Sequence, residues 1–255
     1  MCNLQDKVAF ITGAGSGIGA ATARVMCTAG AKVMLAGIPA GDCDARASEL
    51  RGKGFHAVST GCDVTDEASV KAAIDLTVQQ FGQLDVVVAN AGIQRHNTDR
   101  DVFSMSEDEW DRTQDVNLRG VFRTCKHALA HMLEQDSGGA FVIVSSITAL
   151  TGMSPNVSYS TTKAALLGFN RHLAVHYAKR GIRANAVCPG ALAQTPDWDE
   201  HPDPQGRQAA MEANIPMARL GTADDVAPTI AFLASDASAY TTGGVFVVDG
   251  GLTVG

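Results

Sequence analysis

Short apolar runs alternate with helical patterns along the whole chain, and this alternation restricts the possible folds more than any single motif. The runs "KVAFIT", "KVMLA", "HAVST", "LDVVVAN", "AFVIVSS", "IRANAVC" and "GVFVVDG" make seven candidate strands. Helical patterns fall between them, over 18–29, 42–52 and 66–81, then from about Ser106 and from about Ser158. Strands that alternate with helices need crossover connections, and those connections produce a parallel sheet. Most of the runs are continuously apolar, as a sheet covered on both faces requires. The expected fold is α/β: a single-domain, doubly wound, seven-stranded parallel sheet with helices on both faces, spanning residues 1–255. Helix-start signals agree with this division. "SEDE" at 106–109 reads as a capping box of Ser106 with Glu109, and "TADD" at 222–225 puts Thr222 at an N-cap ahead of two acids.

Composition limits the partners. A chain of 255 residues with 45% hydrophobic and 18% charged residues is that of an ordinary globular protein. A formal charge of −7 and a pI near 5.4, with no basic run, exclude a nucleic-acid or anionic-membrane surface. No apolar stretch approaches the ~20 residues of a bilayer span, and the N-terminal stretch lacks a signal-peptide apolar region, so a cytoplasmic location is expected. Six scattered cysteines without a CxxC pair read as reduced core thiols. One compositional shift, over 189–214, gathers prolines and acids, and residues 190–214 are expected to form a substrate flap on the one domain.

"TGAGSGIG", Thr12 to Gly19, follows the first strand and opens the first helix. Gly13, Gly17 and Gly19 permit a tight turn and close backbone approach, so that a pyrophosphate can sit on free N–H groups at the helix N-terminus. At this position in a βαβ unit the turn points to a dinucleotide. Further on, "YSTTK" sets Tyr159 and Lys163 four residues apart on one helix face, which taken alone describes a half-buried Tyr beside a solvated Lys. Two histidine pairs, His127/His131 and His172/His176, have the spacing of metal ligands. Neither encloses the Glu of HExxH and no third ligand is evident, so surface or interface contacts are expected and no metal.

Taken together, Thr12-Gly13-x-x-x-Gly17-x-Gly19, Asn90-Ala91-Gly92, Asn117, Ser146, Tyr159-x-x-x-Lys163 and Pro189-Gly190 resemble the short-chain dehydrogenase/reductase family, in its order and spacing, from about residue 5 to the end. The resemblance implies a Rossmann fold and an NAD(P)-dependent oxidoreductase that moves a hydride between the nicotinamide and a secondary alcohol/ketone substrate. It implies Tyr159 as general acid/base, its phenol pKa lowered by Lys163 and by an oxidised nicotinamide. Lys163 would also hold the nicotinamide ribose, and Ser146 the substrate oxygen. Asn117 would sit at a helix irregularity on a water-mediated proton path to Lys163. Ser145, beside Ser146, reads as structural.

For the cofactor, the resemblance implies contacts from Gly13, Ser16, Gly17, Ile18, Gly19 and Gly37, from Asp63 and Val64 at the adenine, and from Asn90, Ala91 and Gly92. Pro189 and Gly190 would lie at the nicotinamide, with Thr195 one residue beyond the family's usual threonine. NAD-using relatives close the second strand with an acid, and NADP-using ones place Arg or Lys there. Gly37 holds that position here, so neither code is present. Desolvating a phosphate without a partner is costly, which favours NAD over NADP unless Arg46 turns inward. Substrate-facing residues are expected to be Gln94, Arg95 and His96, then Ile147, Thr148 and Met153, and Trp198. Arg95 and His96 hint at an oxygen-rich or anionic substrate, a solvated loop being the alternative. A homotetramer is implied. The alternatives are a dinucleotide-binding regulator or scaffold that has lost its chemistry, and a dehydratase or epimerase of the extended relatives, whose TGxxGxxG spacing is absent.

Overall fold

A computed structural model gives the architecture and describes residues 2–152, 154–193 and 204–255. Seven strands form one sheet: β1 (Val8–Thr12), β2 (Lys32–Gly37), β3 (Ala57–Gly61), β4 (Val86–Ala89), β5 (Gly139–Val144), β6 (Ile182–Pro189) and β7 (Val245–Val248). Every pairing is parallel, in the order β3-β2-β1-β4-β5-β6-β7. The expected doubly wound α/β fold is therefore present. The chain winds outward from β1 to β3 and then crosses back to β4, so the direction of winding reverses between β1 and β4. Their carboxyl ends diverge there, and such a reversal is where open α/β sheets bind ligands.

The helices are α1 (Gly17–Thr28), α2 (Ala40–Gly52), α3 (Glu67–Phe81), α4 (Glu107–Gln114), α5 (Gly120–Gln135), α6 (Val157–Tyr177), α7 (Pro204–Asn214) and α8 (Ala223–Ala234). Side chains alternate across a strand, so each strand feeds two cores. Ala9, Ile11, Val33, Leu35, Val86 and Val88 pack beneath α1, α2 and α8. Phe10, Met34, Val87, Phe141 and Ile143 pack beneath α3, α5 and α6. All of these are buried, which explains the continuous apolar runs.

Two local expectations need correction. The helix from Ser106 is not continuous: a π-helical turn over Asp115–Arg119 separates α4 from α5. Ser106 does cap α4, accepting from the Glu109 amide at 3.3 Å, but the reciprocal half of the capping box is missing because the Glu109 carboxylate faces Arg95 at 3.0 Å. On α8 the box is complete, with the Asp225 carboxylate accepting from the Thr222 amide. His127 and His131 on α5 meet Glu67 and Asp75 of α3 at 3.0 and 2.8 Å, while His172 and His176 stack with ring centroids 4.2 Å apart. Among the described residues no group of three or more His, Cys, Asp or Glu side chains is arranged to hold a metal, and no helix is long and apolar enough to cross a membrane. The six cysteines are free thiols.

Candidate active site

A crevice of about 1570 Å³ opens along the carboxyl ends of the central strands. Its floor begins at the glycine-rich turn between β1 and α1. Gly13 has φ +63°, and a Cβ there would come within 2.9 Å of the Ala91 Cα. A Cβ on Gly19 would come within 2.2 Å of the Gly13 carbonyl oxygen and 2.8 Å of the Asn90 Nδ2. These clearances let helix and turn close on each other. Ser16, the N-cap of α1, makes no side-chain cap bond, and the first turn of the helix carries no acid. Its free N–H groups and positive dipole end suit a phosphate, so this edge fits the pyrophosphate of a dinucleotide.

Asn90 ties the turn to the end of β4. Its Nδ2 donates to the carbonyls of Thr12 and Gly13 at 2.9 and 3.1 Å. Thr12 returns the tie, its hydroxyl accepting from the amides of Asn90 and Ala91 at 3.0 and 3.1 Å. Ser16, Gly17, Ile18 and Gly37 line one part of the crevice, and Asp63, Val64, Ala91 and Gly92 another. Asp63 accepts from the amide and hydroxyl of Thr65 through a single oxygen, Oδ1.

Deeper in, three elements bring the polar residues together. In the π-helical turn Asn117 is buried, accepting from the Ile93 amide at 2.8 Å and donating to its carbonyl at 2.8 Å. The helix irregularity implied for Asn117 is thus present. Asn117 Oδ1 and Lys163 Nζ flank Gly92, 3.2 and 3.4 Å from the position a Cβ would take there. Ser146, two residues beyond β5, accepts from the Thr148 amide at 3.2 Å, while the Ser145 hydroxyl donates to the Lys163 carbonyl at 2.8 Å and anchors α6. From α6, Lys163 Nζ donates to the Val144 carbonyl at 2.9 Å and stands 5.4 Å from the centroid of the Tyr159 ring. Pro189 and Gly190 close the far wall.

The electrostatics correct one expectation. Burial is the largest influence on the Tyr159 phenol and pushes it up to about 12; a hydrogen bond with Ser146 pulls the other way, and the nearby Cys188 thiol adds to the rise. The lowering implied for the phenol rests on Lys163 together with an oxidised nicotinamide; of these two, burial weakens the lysine cation and brings its ammonium down to about 8. The protein alone therefore keeps Tyr159 as a neutral acid. The Cys188 thiol, at the end of β6, is itself raised by burial.

The substrate-side residues divide. Gln94, Arg95, His96 and Thr148 all line the crevice. The Thr148 Oγ1 is buried without a hydrogen-bond partner, a donor ready for a ligand. Arg95 is less available, since the Glu109 carboxylate lies 3.0 Å from its Nε, so its charge is already balanced and does not by itself mark an anionic substrate. Met153, Thr195 and Trp198 lie outside the described residues. The reading from sequence gave no site role to Asn156 or Cys188, for which it held no signal, and named Thr12 only as the head of the glycine motif.

Comparison with known proteins agrees with this geometry. The family whose description is Enoyl-(Acyl carrier protein) reductase matches residues 13–253. The chain is 44% identical over 248 residues to the cis-4-hydroxycyclohexanecarboxylate dehydrogenase of Sinomonas cyclohexanicum, covering 97% of each. It is 38% identical to a 3-oxoacyl-[acyl-carrier-protein] reductase of Thermotoga maritima, over 98% of this chain and 99% of that one. A crystal structure of a short-chain type dehydrogenase/reductase from Mycobacterium marinum superposes with a TM-score of 0.90 at 33% identity, covering 99% of this chain and 97% of the other. The chain belongs to the short-chain dehydrogenase/reductase family and is an NAD(P)-dependent oxidoreductase that acts on a secondary alcohol or ketone.

Proposed function

We propose that Tyr159 is the general acid/base of the reaction, with Lys163, Ser146 and Asn117 as its assistants. The observation that carries this reading is the convergence of the Tyr159 phenol, the Ser146 hydroxyl and the Lys163 ammonium in one buried pocket of the crevice. A nicotinamide dinucleotide held along the glycine turn and Lys163 would supply a hydride to the ketone carbon, or accept one from the alcohol carbon. Tyr159 donates its proton to the ketone oxygen as negative charge develops there, and Ser146 hydrogen-bonds the same oxygen. Lys163 supplies positive charge beside the phenol, and Asn117 holds the Gly92–Ile93 backbone next to it. The test is oxidation and reduction of an alcohol and ketone panel, including cis-4-hydroxycyclohexanecarboxylate, read by absorbance of the reduced nicotinamide.

The pH dependence has a defined sign. Lys163 is charged below about 8 and neutral above it, while Tyr159 stays protonated to about 12. Ketone reduction uses the protonated phenol and the charged ammonium, so kcat/KM for reduction is expected to fall as pH rises through about 8. A profile from pH 6 to 11 that stays flat up to the phenol's range counts against the assistance assigned to Lys163.

NAD is the preferred cofactor in this reading. Gly37 offers no side chain to the adenine ribose, and Arg46 pairs with Glu49 at 2.8 Å on an exposed helix face. Arg46 is thereby committed elsewhere, and a 2′-phosphate would lose water without its pairing. NAD is expected to bind more tightly than NADP, with a ratio of dissociation constants that Arg46→Ala leaves unchanged. Tighter NADP binding that Arg46→Ala abolishes reverses the assignment.

The whole chain serves as one catalytic domain, with 190–214 as a substrate-facing excursion. This is supported by Met211 and Asn214 of α7, which line the crevice. A homotetramer is supported by exposed apolar groups on the long helices and near the β7 edge, among them Phe122, Val175 and Tyr240. Sedimentation of the purified protein tests it.

A further inference from the structure

The amino end of α6 lies at the substrate side of the crevice, and its N–H groups are not capped locally. Asn156, the N-cap residue, makes no side-chain bond to the helix. The bonds come instead from a loop some 60 residues earlier. The Arg100 carbonyl accepts from the Val157 amide at 3.2 Å. One oxygen of the Asp99 carboxylate accepts from the Ser158 amide at 3.0 Å and the other from the Tyr159 amide at 2.8 Å. Asp99 is only 1% exposed, a buried carboxylate whose two oxygens both serve this one helix end. Freed from capping, Asn156 joins the same loop: it donates to the Asp99 carbonyl at 2.6 Å and accepts from Gln94 and His96 at 3.3 and 3.0 Å. The stretch 94–101 and the first turn of α6 are therefore one polar unit, with crevice-lining groups at one end and the Tyr159 backbone at the other.

We propose that Asp99 is the positioning residue for Tyr159, and that through it and Asn156 the loop carrying Gln94 and His96 sets where the phenol stands. An ordinary N-cap binds the amide two or three positions into the helix from the residue that precedes it. Here a buried charged group fixes two successive amides, one of them belonging to the acid/base itself. Charge-assisted bonds of this kind are shorter and stiffer than neutral ones. Asparagine at 99 keeps the size but turns an NH₂ group toward one of the two N–H donors, so one amide is orphaned and the turn bearing Tyr159 is released. The inference rests on the assignment of Tyr159 as the acid/base.

The test compares Asp99→Asn, Tyr159→Phe and a remote control, Arg183→Lys. Arg183 bonds Leu233, Ser235, Ser238 and Thr241 at the opposite end of β6. Each variant is assayed for kcat, for KM, for the isotope effect on kcat with substrate deuterated at the carbinol carbon, for dinucleotide dissociation constant and for thermal midpoint. Misplacing a reacting group by about 1 Å can cost on the order of a hundredfold. Asp99→Asn is expected to lower kcat by roughly ten- to a hundredfold and to raise the isotope effect, with dinucleotide affinity held within about twofold. Arg183→Lys is expected to lower the midpoint while kcat and the isotope effect stay at wild-type values. If Asp99→Asn behaves like Arg183→Lys, Asp99 is a cap and nothing more, and the proposal is overturned. Full turnover by Tyr159→Phe is a separate failure, of the acid/base assignment beneath it. Should Asp99→Asn not fold, Asp99→Ser, a shorter acceptor, carries the same comparison.

Discussion

Tyr159→Phe is expected to lower kcat by about 10²–10⁴-fold in both directions, the range that a positioned acid/base contributes. The change removes one oxygen from the centre of the polar pocket and leaves the ring, which packs near Lys163, in place. Dinucleotide affinity is expected to stay within about twofold, because the glycine turn, the Asn90 staple and the free end of α1 are untouched. Stability is expected to change by only about 1 kcal/mol, the net worth of one hydrogen bond. The two directions need not suffer equally. Burial holds the phenol near 12, which suits proton donation to a ketone at neutral pH and works against proton removal from an alcohol. The charge on Lys163, which declines above about 8, opposes that burial in the oxidative direction. The measurement is steady-state turnover beside a titration of the dinucleotide. Unchanged turnover would remove Tyr159 from the chemistry.

The fold was legible because its signal is local and repeated. Continuous apolar runs such as Val86–Ala89 mark strands buried on both faces in the centre of the sheet, and seven strand patterns separated by helical ones leave few topologies. The glycine turn and the Tyr159–Lys163 pair were legible for a similar reason, since the chemistry sits within one turn of chain. What escaped depends on partners distant in sequence. By its own pattern the stretch "DVNLR" reads as ordinary helix, and only the resemblance implied an irregularity at Asn117; it takes a π-helical turn where Asn117 bonds both backbone groups of Ile93, a contact that the tertiary fold supplies. Glu109 had the spacing of a capping box and was drawn to Arg95 instead. The same separation hid Asp99, 60 residues from the amide it caps. The direction of the Tyr159 shift was missed because burial is a property of the packed protein. A neighbouring lysine can be read from sequence, but the loss of solvent around both groups cannot.

Gly19→Ala is expected to damage cofactor binding where Tyr159→Phe damages chemistry. A methyl group at 19 would lie 2.2 Å from the Gly13 carbonyl oxygen, 2.8 Å from Asn90 Nδ2 and 2.9 Å from the Ala14 Cα. Two of those neighbours are backbone, and the third is held by its own bonds to Thr12 and Gly13. Relief therefore requires α1 to back away from the turn or the Asn90 staple to open. Either movement displaces the free N–H groups of α1 from where a pyrophosphate would sit. Overpacking of this kind costs about 1–3 kcal/mol in stability, and loss of the phosphate seat is expected to weaken dinucleotide binding by more than about tenfold. Gly17→Ala is the informative contrast. Gly17 has φ +52° and no protein atom within 4 Å of where a Cβ would stand, but it lines the crevice, so alanine there adds backbone strain of about 1–2 kcal/mol and sets a methyl group against the cofactor's seat. The two variants are expected to lose similar stability in denaturant titrations and both to bind the dinucleotide more weakly, Gly17→Ala through direct contact with the ligand and Gly19→Ala through displacement of α1. Wild-type affinity in Gly19→Ala would mean that the closeness of α1 to the turn is a packing requirement alone and does not shape the cofactor's seat.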